Sequence, residues 1–109
     1  MTFQISISRQ AEADLRNVFE YIAWELRSVQ NAVGQLDRLE KAISSLDRMP
    51  MRYRVYEKEP WRSRGLRVMS VDKYLVFYIP YPDTLNVEIV RIMYGGMDVD
   101  AQLNKITTK

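Results

Sequence analysis

Phe3, Ile5 and Ile7 alternate with Gln4, Ser6 and Ser8, the two-residue period of a strand with one buried face. Ser8 stands where an N-cap accepts from the free amides of a following helix. Ala11, Leu15, Val18, Phe19, Ile22 and Leu26 then recur at helical spacing, predicting a helix near 9–26. RSVQ interrupts it, with Ser28 as a second cap. Ala32, Leu36, Leu39, Ile43 and Leu46 form the stripe of a second helix that ends at Met49-Pro50. The short joint predicts an antiparallel helical hairpin.

After residue 64 the period shortens. GLRVM (65–69) reads as a strand with Leu66 and Val68 inward and Arg67 and Met69 outward. YLVFYIPY (74–81), apolar on both faces, predicts a central strand, and TLNVEIVRIMY (84–94) a long one reached through a Pro82-Asp83 turn. Gly95-Gly96 closes it, and Asp98 is placed to cap a short last helix over Val99–Leu103. The order β-α-α-β-β-β predicts an α+β fold: a helical hairpin on one face of a small, mainly antiparallel sheet, with a short C-terminal helix. At 109 residues, with no linker or repeat, the chain reads as a single domain over 1–109.

Composition narrows the chemistry. With no cysteine there is no disulfide, thiolate nucleophile or thiolate metal site. With no histidine, the commonest general base and metal ligand are missing, so no metal centre and no cofactor are expected. The amino terminus lacks a signal-peptide pattern and the longest apolar run is too short for a bilayer, which makes the cytoplasm the expected compartment and a membrane partner unexpected. The net charge of +2 is unevenly spread: residues 48–73 carry 8 basic and 3 acidic groups, against 5 and 7 before them and 3 and 4 after. A positive patch on a near-neutral body draws polyanions.

Three segments carry a resemblance: SISRQAEADLRNVFEYI, DRLEKAISSLDRMP, and GLRVMSVDKYLVFYIPYPDTLNVEIVRIMYGGMD. In that order and spacing the chain resembles the RelE/ParE family, the toxins of bacterial type II toxin–antitoxin pairs. The resemblance spans nearly the whole chain. It implies a cognate acidic antitoxin as partner. It also implies one of two activities: ribosome-dependent mRNA cleavage, in which the partners are ribosome and mRNA, or non-enzymatic inhibition of DNA gyrase. A third implied role is a non-toxic member acting with its antitoxin in operon control. Of these, mRNA cleavage through a basic sheet face is the leading expectation, with a metal-independent endoribonuclease as the enzyme class. Arg67 matches a cation of the RNA-cutting branch. Tyr74 and Met97 stand where that branch often carries arginine, Tyr94 where relatives carry histidine, and Leu103 near its catalytic tyrosine.

Cleavage by a 2′-hydroxyl requires a base, an acid and stabilisation of the charged phosphorane. The candidate catalytic residues are Arg67, Tyr94 and Arg91, the arginines at expected outward strand positions. The base would be Glu57, Glu59 or a tyrosine whose pKa neighbouring cations lower. Arg52, Arg54, Arg62, Arg64 and Lys73 are the candidate nucleic-acid contacts. Trp24, opposite the core stripe of its helix, and Trp61 are the candidate partner contacts.

Overall fold

In the computed structural model, residues 2–96 and 98–107 are described. The strands are β1 (Gln4–Ile7), β2 (Arg54–Val55), β3 (Arg67–Val71), β4 (Tyr74–Tyr81) and β5 (Asn86–Tyr94). The α-helices are α1 (Arg9–Glu20), α2 (Val29–Ser44), α3 (Trp61–Arg64) and α4 (Val99–Thr107). They build one sheet in the order β1-β5-β4-β3-β2, antiparallel except for the parallel pair β1–β5. The expected fold class holds.

The caps read from the sequence are in place. Ser8 Oγ accepts from Ala11 N at 3.0 Å and Ser28 Oγ from Asn31 N at 3.2 Å. Asp98 accepts from Ala101 N at 3.3 Å. The first helix departs from expectation at its end, where Tyr21–Glu25 form a π-helical turn. The wider turn carries Leu26 off the core stripe, and it is exposed.

The larger difference lies on the second face of the sheet. One apolar cluster joins the hairpin (Ala11, Val18, Ile22, Leu39, Ile43) to Met69, Val76, Tyr78 and Ile89. A second joins Leu66, Val68, Phe77, Val90 and Met93 to Trp61 and Leu103. Both sheet faces are therefore covered near β3. Met69, expected outward, is buried under the hairpin, while Val68 is buried under α3 and α4. The sequence reading missed β2 and α3, two and four residues long, because neither is long enough to show a period.

Asp72 takes the left-handed backbone (φ 55°) that the tight β3–β4 turn needs. Its carboxylate accepts from Gln35 Nε2 at 3.0 Å and Arg38 Nε at 2.8 Å, tying α2 to that turn.

Candidate functional site

β5 has nine residues, and β1 pairs only with its first four, Asn86 to Ile89. Past that point side chains of the first helix continue the ladder. Ser8 Oγ donates to Val90 O at 2.8 Å, and the Asp14 carboxylate accepts from Ile92 N at 2.8 Å. The same carboxylate receives Arg91 Nε at 2.8 Å and Nη2 at 2.9 Å, a bidentate pair. Arg91 is 6% exposed. The outward position expected for Arg91 is thus corrected: it lies between α1 and α4, and its charge is held by Asp14. Asp14 itself went unread, although it shares the apolar stripe with Ala11 and Val18. An acid on a buried face signals a buried cation.

Beyond this pair the helices stand away from the sheet end, leaving an open groove of about 1280 Å³. Asn17 and Tyr21 of α1 and its extension, Gln30, Asn31 and Arg38 of α2, Lys73 and Tyr74 of the β3–β4 hairpin, Tyr94 and Gln102 all line it. Tyr74 and Tyr94 are cross-strand partners with ring centroids 6.0 Å apart, meeting edge to face. Burial, and then the nearby Tyr21 and Tyr94 hydroxyls, push the Tyr74 pKa up. A tyrosine serving as base needs the opposite shift. Tyr94 is 47% exposed at the mouth. Its ring covers Gly96, where a Cβ would come within 2.7 Å of it, so that position accepts only glycine without movement.

The remaining cations gather elsewhere. Arg67 is cross-strand from Tyr78, four residues along β4 from Tyr74, roughly 13 Å at the rise of a strand. Arg67 is half-buried rather than outward on an open face. Its guanidinium donates to Met51 O at 3.0 Å and Tyr53 O at 2.6 Å, fixing the chain that leads into β2. Arg52 likewise spans the end of α2, donating to Arg48 O, Met49 O and Ser45 Oγ, and lies over the Tyr53 ring. Arg54, Arg62 and Arg64 are exposed, with Arg64 over the Trp61 ring at 4.9 Å. These five arginines share the β2 side of the molecule. Lys73 is apart from them, at the groove.

The two tryptophans separate. Trp24 is 66% exposed on the π-helical turn. Trp61 is 2% exposed, in the second cluster, with Nε1 donating to Asn104 Oδ1 at 3.0 Å. Its expected partner-facing position is corrected by that burial: it starts α3 and forms the base on which α4 sits. Leu103 is fully buried there. Tyr56 and Lys58 both donate to Asp100, which pins α4 further. These bonds hold the Asp100 carboxyl below the usual range, Lys58 first and Tyr56 second. Glu59 accepts from Ser63 N at 3.1 Å, a local cap; the Ser63 hydroxyl first and this main-chain bond second lower its pKa. Met97 lies outside the described residues. Among the described residues no helix is long and apolar enough to cross a membrane, and no cluster of acids is grouped to hold a metal ion.

The sequence of residues 5–99 matches the family described as the ParE toxin of type II toxin-antitoxin system, parDE. No curated protein matches it. Among solved structures, the chromosomal ParDE toxin–antitoxin system of P. aeruginosa superposes with a TM-score of 0.69 at 16% identity, covering 85% of this chain and 96% of the other. The RelBE2 toxin–antitoxin complex of Mycobacterium tuberculosis gives 0.61 at 17% identity, covering 86% and 99%. The isolated E. coli RelE toxin gives 0.54 at 10% identity, covering 94% and 96%. At these identities the structures speak to fold.

Proposed function

Because the chain belongs to the ParE toxin family of type II toxin–antitoxin systems, we propose that it acts by binding its target rather than by cutting RNA. The target is DNA gyrase in the cytoplasm, and an acidic antitoxin neutralises the toxin. One observation carries this reading: the groups that RNA cleavage requires are not gathered. Arg91 is closed into its pair with Asp14, and Arg67 is engaged with two main-chain carbonyls near the opposite end of the strands from Tyr94. Tyr74, beside Tyr94, has its proton held more tightly than usual. A phosphorane built at Tyr94 has only Lys73 nearby with no ion pair among the described residues.

The antitoxin expectation draws support from the solved relatives, two of which are toxin–antitoxin assemblies. The exposed Arg54, Arg62 and Arg64 offer an acidic partner its complement. The same arginines support the second reading, ribosome-dependent mRNA cleavage, since they suit a phosphate backbone equally well.

Induction without antitoxin separates the two. Mapping mRNA 5′ ends and measuring plasmid supercoiling in the same cells is expected to show intact messages and lost supercoiling. New cuts at codon positions with supercoiling unchanged would overturn the binding reading.

A further inference from the structure

The groove floor is also the end of a sheet edge. Gly95 N donates to Lys73 O at 2.9 Å, so residues 91, 93 and 95 turn their main-chain groups toward β4. Residues 90, 92 and 94 turn theirs the other way. Ser8 takes Val90 O and Asp14 takes Ile92 N, and there the supply from α1 ends. Tyr94, next in the alternation, directs its N–H and C=O along the open edge. β1 stops at the level of Ile89 and provides no strand beside it. Gly95 and Gly96 follow as an exposed turn, with the Tyr94 ring lying over Gly96.

We propose that this edge and groove form a docking site for an extended peptide segment of the toxin's target. The segment adds as a short strand beside the end of β5 at Tyr94. This rests on the binding reading above and deepens it. Main-chain pairing supplies part of the affinity in strand addition, and pockets for alternate side chains supply specificity. The groove offers both. Asn17, Gln30, Asn31 and Gln102 carry carboxamides, which both donate and accept and so suit a peptide main chain. Tyr21, Tyr74 and Leu26 line the same groove and offer apolar surface to one aromatic or branched side chain.

Charge selects among partners. Among the groove's charged groups, Asp14 cancels Arg91 and Asp72 cancels Arg38, leaving Lys73 alone. An uncharged segment, or one with a single acid to meet Lys73, fits. A strongly acidic segment fits the β2 side instead, where Arg54, Arg62 and Arg64 are exposed, so the antitoxin's acidic surface is matched there. The volume of about 1280 Å³ exceeds the usual range of small-molecule sites, about 300–1,000 Å³, and suits a chain segment.

The test compares Tyr94→Ala with Tyr94→Pro in the full chain. Alanine removes the ring and keeps the edge N–H. Proline removes both, at a strand edge where its missing N–H disturbs no internal bond. Binding to purified gyrase is measured by calorimetry, and exchange of the Tyr94 amide by NMR with and without gyrase. The expected result is slowed exchange on binding, and at least tenfold weaker binding for Tyr94→Pro than for Tyr94→Ala. Purified antitoxin is expected to bind both variants within threefold of the parent. If proline disturbs the fold, slowed exchange at Tyr94 in the unmodified chain decides alone. Gyrase binding with Tyr94 exchange unchanged overturns the docking site and leaves the gyrase reading standing. Slowed exchange on antitoxin binding but not gyrase binding overturns the choice of occupant. Failure of the unmodified chain to bind gyrase overturns both.

Discussion

Replacing Asp14 with alanine is expected to destabilise the fold more than any surface change of similar size. Its side chain is 10% exposed and that of Arg91 8%, so the pair is held in a largely dehydrated site. Removing one member of such a pair leaves the other charge buried without compensation, at about 3–5 kcal/mol. Ile92 N also loses its acceptor, a further loss of about 1–3 kcal/mol if no water replaces it. The two effects overlap, and about 4 kcal/mol is expected in total. In a domain of this size that lowers Tm by about 15 °C. Asp14→Asn keeps an acceptor for Ile92 and loses only the charge, so it should fall between alanine and the parent. Asp14→Leu combined with Arg91→Met removes both charges and should recover most of the loss, within about 2 kcal/mol of the parent. Urea denaturation of Asp14→Leu, Arg91→Met and the double variant gives the coupling energy, expected to be several kcal/mol because each single change costs more than both together. If Asp14→Ala costs under about 1 kcal/mol and the coupling is indistinguishable from zero, Arg91 is not held by Asp14 in solution. The placement of Arg91 as a structural residue then fails.

Trp61→Ala should cost about 3–5 kcal/mol and free the C-terminal helix, visible as faster amide exchange over residues 99–104. Equal protection in both proteins would mean that α4 does not rest on Trp61. Tyr78→Phe removes a buried hydroxyl that donates to Pro50 O at 2.6 Å and should cost about 1–2 kcal/mol by urea denaturation; no change would mean the Pro50 carbonyl is satisfied by water. Burial, aided for Tyr56 by Asp100, pushes Tyr56 and Tyr78 up to about 12. A raised folded pKa gives stability that is complete below the ordinary value near 10 and is lost as pH rises through 12. Absorbance titration at 295 nm should therefore show Tyr56 and Tyr78 titrating last, after Tyr74 and Tyr81, which burial also raises, with unfolding setting in over that window. Asp100 shifts in the other direction, so its hold on α4 is present above about pH 4 and lost as pH falls through its lowered pKa. Protection factors over residues 99–104, taken against the intrinsic exchange rate at each pH, should fall on acidification in the parent, and should already be lowered at neutral pH in Asp100→Asn.

Much of the fold is legible in single letters. The Phe3–Ile7 alternation, the Ser8 and Ser28 caps, the stripe from Ala32 to Leu46 and the YLVFYIPY strand each follow from local geometry acting on neighbours in the chain. A period needs several turns or several alternations to show, which is why Arg54–Val55 and Trp61–Arg64 could not be read. The site was less legible. Arg67, Arg91 and Tyr94 share residue types with a catalytic set, and sequence spacing leaves open whether they meet. That depends on what lies across the sheet.

The sequence by itself determined the longer strands and helices, the caps that start α1 and α2, and that cations concentrate between residues 48 and 73. Only the tertiary structure decided how those cations are used. Arg91 is placed against an acid 77 residues away, and Arg67 against carbonyls 14 and 16 residues away. A charge is free or spent according to its neighbours in space, and the Coulomb and desolvation energies that decide it depend on distance and burial. Periodicity sets a side chain's direction. The partner at the end of it belongs to another part of the chain, and folding alone brings the two together.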